Sequence, residues 1–252
     1  MTTGIRTRYG REAPWGAVLI ASAITIGAYA IYLAVTDPKA YYSFIREDGL
    51  VENGSTILWA LAAIVTLWSL VVHRKLARNS SLAWHPWAYV VLALFFIACG
   101  GEEISWGQRF LNVKTPEVLR AINVQKETTV HNIYSISIFS NVFFLLAIGF
   151  FVVLPLLAER HARMKQCVND YGIPVPSRLA RRVFLISLAV WLFVGIRFGT
   201  LGFHPFSVFA ERYYNQMDDE IFEFLAAYSY FAFGILDLVA AKTTAAQSHP
   251  LT

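Results

Sequence analysis

Cysteine is nearly absent from this chain of 252 residues: it has only Cys99 and Cys167. Cys99 falls inside a long apolar run, and Cys167 lies in a polar connection reading to the opposite side. Neither a disulfide framework nor a cysteine metal site is therefore supported. Charge is also scarce. Asp, Glu, Lys and Arg make up 15% of the chain, against 56% apolar and 15% aromatic residues, whereas a soluble domain carries roughly 25% charged residues. An ordinary soluble domain is excluded. No internal repeat, low-complexity segment or soluble module is visible. The first apolar run is too long for a cleavable signal peptide and has no small-residue cleavage site after it. Also missing are a His-Glu-x-x-His zinc helix, a Gly-x-Ser-x-Gly elbow and a Gly-x-Gly-Asp motif, which removes the signatures of several hydrolase classes.

What is present is long apolar runs. The stretches Trp15–Thr36, Gly54–Val72, Trp87–Gly107, Ile133–Ala158, Val183–Phe203 and Glu220–Ala241 are each long enough to cross a hydrocarbon core at about 1.5 Å per residue. Backbone groups in lipid must be satisfied within the segment, so these runs are expected as helices. The expected fold is all-α: a polytopic membrane bundle of six transmembrane helices, with short interfacial helices on the outer side. Residues 1–14 read as a mobile cytoplasmic arm, 15–242 as the transmembrane domain and 243–252 as a mobile cytoplasmic tail.

Lys and Arg sort by connection. Arg6, Arg8 and Arg11, then Arg74, Lys75 and Arg78, then Arg160, Arg163, Lys165, Arg178, Arg181 and Arg182, and finally Lys242 fall on one side of a six-span chain. By the positive-inside rule this is the cytoplasm, so both termini are expected inside, in a plasma (inner) membrane. Lys39, Arg46, Lys114, Arg120, Lys126 and Arg212 run against the bias. Topology accounts for most of the net charge of +4, and no nucleic-acid partner is needed. The acids sort the other way, mostly to the outer connections and outer helix ends. The positive-inside rule does not demand this, and a shared outer site would.

The outer side carries the candidate chemistry. Glu102 and Glu103 follow the apolar run Trp87 to Cys99 and lie within Gly100-Gly101-Glu102-Glu103-Ile104-Ser105-Trp106-Gly107-Gln108-Arg109. Ionisable groups at that depth are expensive and usually face a protein interior or a watery cavity. On a continuous helix Glu102 would share a face with Ser105, Trp106 and Arg109, so Arg109 is expected as its structural ion-pair partner. Glu103 is then the freer group. Gly-Gly permits close helix approach or a bend. Glu127 and His131, four apart, would share a face if their segment is helical, and could ligate a metal or form a general base. Asp218, Asp219 and Glu220 suit a helix start, while Glu223 sits in an apolar context. Asp48 and Glu52 stand at another helix entry, where a capped start is the plain account. Thr115-Pro116-Glu117 reads as a helix start with Thr115 as N-cap, leading a short interfacial helix. Ala40 to Leu50 reads similarly.

The combination of Glu47-Asp48-Gly49 with Glu52, the run Gly100 to Arg109, the segment Asn123 to Asn132 and Asp219-Glu220 with Glu223 resembles a pattern of uncharacterised bacterial multi-pass membrane proteins. That resemblance implies no activity. The acid-rich outer face also resembles, loosely, metal-dependent membrane hydrolases of the alkaline ceramidase type, but their His-x-x-x-His helix is absent.

These observations lead to a metal-dependent hydrolase of a lipid or lipid-linked substrate. Glu102 or Glu103 would act as general base, and a divalent cation, zinc by preference, would be held among His131, Glu127, Glu52, Asp219 and Glu223. A proton- or ion-coupled transporter and a non-enzymatic membrane assembly or accessory protein remain open. The absence of repeats and of paired broken helices argues against the transporter. The lipid bilayer is the one partner implied, and the oligomeric state is left open.

Overall fold

A computed structural model describes residues 3–46, 49–78, 86–111, 113–123, 126–129, 137–198 and 219–248. Helices account for the regular structure, and no strand occurs among the described residues. The long elements are α1 (Thr3–Thr36), α3 (Leu50–Arg78), α4 (Trp87–Glu103), α10 (Arg178–Phe198) and α11 (Asp219–Ser248), with the shorter α2 (Pro38–Ile45) between the first two. After α4 come the short α5 (Gln108–Leu111) and α6 (Glu117–Ile122). Then α7 (Ser137–Ile148) passes through one π turn, Gly149–Val153, into α8 (Leu154–Arg160), followed by α9 (Ala162–Asp170).

Among the described residues, five helical stretches are long and apolar enough to cross a membrane: α1, α3, the α7–α8 stretch, α10 and α11. The sixth expected span corresponds to α4. It has 17 residues, which at 1.5 Å per residue is about 25 Å, short of a hydrocarbon core of about 30 Å. Other boundaries also differ from expectation. α1 begins at Thr3 and contains Pro14, and α11 continues to Ser248, so most of the expected arm and tail is helical. α10 starts at Arg178 rather than Val183. Residues 199–203 and 133–136, at the ends of two expected spans, lie outside the described residues.

Helix α11 is the centre of the bundle. It packs on α3, α10 and α1, and α3 packs in turn on α4. Small residues set how closely these helices approach. A Cβ on Gly27 of α1 would lie 2.5 Å from Val190 Cγ2 of α10, and one on Gly54 of α3 would lie 2.6 Å from the Phe224 ring of α11. The interior is aromatic rather than aliphatic. Tyr230 lies with its ring centroid 4.8 Å from Phe151, 5.0 Å from Phe96, 5.5 Å from Phe150 and 5.6 Å from Trp59. Outward-facing residues are apolar too: Val18, Ile24, Ile64, Trp68, Leu94, Leu145 and Ile196 are all exposed. Apolar exposure spread over several helices is what lipid contact requires and what water would penalise.

The break in the α7–α8 stretch has a local cause. Pro155 has no N–H for the carbonyl four residues earlier, and its ring crowds that turn. The five-residue π turn just ahead of it widens the helix there, a device that often marks functional positions.

Candidate functional site

The acidic end of the bundle is built around the end of α4. Gly100 lets α4 approach α3, since a Cβ there would meet Trp59 Cβ at 3.2 Å. α4 ends at Glu103, and Ser105, Trp106 and Gly107 all take positive φ (49°, 54° and 75°). Left-handed backbone at two residues with side chains costs energy and persists only where neighbours enforce it. Here they do. The Trp106 indole folds back over Gly101, whose missing Cβ would lie 2.9 Å from the ring, and its Nε1–H donates to Glu102 Oε1 at 2.7 Å. The buried Ser105 hydroxyl donates to the Glu127 carboxylate. The regular helix expected to align Glu102 with Arg109 is therefore interrupted between them. The Arg109 side chain lies outside the described residues, and Glu102 has Trp106 as a partner.

The following connection is stapled back onto this turn. Gln108 Nε2 donates to Thr115 Oγ1 at 2.5 Å, Gln108 Oε1 accepts from Thr128 N at 2.7 Å, and Thr115 Oγ1 donates to the Lys126 carbonyl at 2.7 Å. The buried Asn123 donates to the Thr129 carbonyl at 2.8 Å and accepts from Glu127 N at 3.2 Å. Two sequence expectations are corrected by this network. Thr115 does not cap α6, which begins at Glu117 with Pro116 ahead of it and no side-chain cap, because its hydroxyl is committed to the staple. Residues 126–129 form a bend rather than a helix, so Glu127 does not present a helical face four residues ahead of His131. Asn123 supplies the competing local hydrogen bonds. α6 buries none of its residues and exposes Val118 and Ile122.

Three carboxylates lie near Cys99 at this end. Glu103, Glu223 and Glu102 all lie within electrostatic reach of the Cys99 thiol, which brings the ends of α4 and α11 together. Glu52 stands part-buried in the first turn of α3, and Asp219 opens α11. The side chain of Asp219, together with His131, Asp48 and Asp218, lies outside what is described. Among the described residues no group of three His, Cys, Asp or Glu side chains is arranged to hold a metal ion.

A second polar site, missed in the sequence, sits at the other end of the same three helices. Asp237 of α11 receives the Ser69 hydroxyl and the Tyr89 hydroxyl (3.1 Å), and His73 Nε2 lies 3.3 Å away. Ser69 and His73 are four apart on α3 and Tyr89 opens α4, so one helix face supplies two partners. Asp237 and His73 are largely buried, with side chains 16% and 18% exposed. They line a cavity of about 640 Å³ that also includes Phe233, Leu236 and Ala240 of α11, Pro155, Lys165 and the connection Gly172–Arg178. This is no Ser-His-Asp triad: Ser69 donates directly to the carboxylate, so the imidazole is not placed to take its proton. The sequence held one signal for it, a lone aspartate deep in an apolar helix. Nothing along the chain said which polar groups would meet it.

Fold and site together define a helical protein with helices long and apolar enough to cross a membrane and polar clusters at both ends of its bundle. The sequence matches no family model, no curated protein and no solved structure.

Proposed function

We propose that the chain is a six-span integral membrane hydrolase acting on a lipid or lipid-linked substrate at its acidic end, with a divalent cation, zinc by preference, as cofactor. The observation that carries this reading is the fastening of the 113–129 connection onto the end of α4 through Ser105–Glu127 and Gln108–Thr128. It holds the segment that leads to His131 beside the helix end carrying Glu102 and Glu103. Like charges gathered there need protons, cationic partners or a metal ion. In this reading His131 is the leading ligand, joined by carboxylates drawn from Glu127, Glu52, Asp219 and Glu223. Glu103, at the end of α4, takes the proton from the attacking water. A substrate with an acyl tail would reach the site sideways from the bilayer. A plasma (inner) membrane location with cytoplasmic termini fits the basic connections.

The test is elemental analysis of protein purified without chelator, wild type beside His131→Ala and Glu103→Gln. The expected result is stoichiometric metal in wild type, loss in His131→Ala, and retained metal with lost hydrolysis in Glu103→Gln. Metal-free, active wild type would remove the reading.

Proton- or ion-coupled transport is the second reading. One observation favours it: α3, α4 and α11 each carry polar groups at both ends, with the aromatic block around Tyr230 between them. Substrate-dependent proton flux in liposomes, absent in Asp237→Asn, would support it.

A further inference from the structure

The cavity around Asp237 has a chemical polarity that selects a ligand. At its floor the three hydrogen-bonding neighbours, Ser69, Tyr89 and His73, all address one carboxylate oxygen, Oδ2. Oδ1 receives no hydrogen bond among the described residues, in a side chain that lines the cavity. A buried carboxylate with a vacant acceptor favours a cationic donor over anything else. At the mouth the charge reverses. Arg178 lines the cavity with its side chain 65% exposed and its Nε 3.9 Å from Glu159, whose carboxylate is engaged more closely by Arg181 at 3.0 Å. Lys165 lines the same mouth, is exposed, and makes no ion pair among the described residues. Between floor and mouth the walls include Pro155, Val168, Phe233 and Leu236. At about 640 Å³ the space exceeds a water's share of about 30 Å³ many times over and falls in the range of small-molecule sites.

We propose that this cavity binds a zwitterion carrying a primary ammonium group and a phosphate, as in phosphoethanolamine. The ammonium donates to Asp237 Oδ1, and the phosphate lies between Lys165 and Arg178. A primary ammonium is required because the vacant oxygen needs an N–H donor, which a trimethylammonium group lacks. Phosphate is favoured because two cations, Lys165 and Arg178, line the cavity against a single carboxylate, Glu159, which Arg181 engages at 3.0 Å, and the Ser177 hydroxyl and the Asn169 amide line it too. The same chemistry is offered by the free molecule and by the head group of an aminophospholipid. The site is separate from the acidic end and does not rest on the hydrolase reading.

The experiment is equilibrium binding of labelled phosphoethanolamine to the purified full chain in detergent. Wild type is expected to bind at one saturable site, with phosphocholine weaker by about tenfold or more, the worth of one charge-assisted hydrogen bond. Asp237→Asn should weaken binding by a similar factor. Because that variant alters a buried group and its folding is at risk, Lys165→Gln with Arg178→Gln provides a second test at exposed positions, again expected to weaken phosphoethanolamine about tenfold or more. No saturable binding by wild type, equal binding of phosphocholine, or full affinity in the folded double variant would each overturn the proposal. Nanodiscs separate the two sources. Displacement of the label in phosphatidylethanolamine but not phosphatidylcholine discs assigns the head group, and retention in both assigns the free zwitterion.

Discussion

At the scale of single residues, polar groups in this interior either have a stated partner or carry a cost. The Thr66 hydroxyl in α3 is buried and has no hydrogen-bond partner among the described residues. A buried hydroxyl left unpaired costs about 1–3 kcal/mol, and an apolar group of the same shape removes that cost. Thr66→Val is therefore expected to raise stability by about 1–2 kcal/mol, read as a higher unfolding midpoint in detergent. A lower midpoint would mean that the hydroxyl has a partner. The same scale shows where sequence reading stopped. Gly100-Gly101 was legible as a close approach or bend, because missing side chains point to contact whatever the partner. The positive φ of Ser105 and Trp106 was not legible. Nothing about a serine and a tryptophan announces left-handed backbone, which is enforced here by Glu102, Gly101 and Glu127 from outside the turn. Assuming a regular helix through that point is what produced the expected Glu102–Arg109 alignment. Asp237 drew no reading from the sequence, because its partners come from two other helices.

At the scale of elements, hydrophobic runs are the readable part, since a bilayer imposes length and apolarity on each helix independently. What lies between runs depends on side-chain staples such as Gln108 and Asn123, which compete with helix formation and are invisible to periodicity. Helix approach is similarly specific. Gly27 faces Val190 Cγ2 at 2.5 Å from where a Cβ would sit, and a valine in a helix has essentially one side-chain rotamer, so it cannot swing away. Gly27→Ala should cost about 1–3 kcal/mol by overpacking the α1–α10 contact. Gly149 in the π turn has nothing within 4 Å of its would-be Cβ, so Gly149→Ala should be neutral or stabilise by up to about 1 kcal/mol. Thermal unfolding of both variants in one detergent checks the pair. Equal shifts would mean that close packing does not set the α1–α10 distance.

At the scale of the whole molecule, the question is whether α4 crosses the membrane. Its length alone leaves it short, but its contacts run the full course between the two polar clusters. Tyr89 at its start bonds Asp237, and Cys99 near its end lies within electrostatic reach of Glu223. On α11 the distance from residue 237 to 223 is about 21 Å at 1.5 Å per residue, so α4 traverses most of the apolar depth that α11 does. A span this short is accommodated by local thinning of the bilayer at modest cost. Six spans put the two termini on the same side, with a reporter after Lys114 outside and one after Arg163 inside. Five spans, with α4 not crossing, reverse both reporters and place the C-terminus opposite the N-terminus. The positive-inside rule favours six, because only then do the basic clusters at the start of α1, at the end of α3, from the end of α8 to the start of α10 and at Lys242 fall together. Reporter fusions after Lys114, after Arg163 and at the C-terminus are expected to read outside, inside and inside. A C-terminal reporter outside would strike out α4 as a span. It would also place Glu102 and Glu103 on the cytoplasmic side and move the proposed site to the other leaflet.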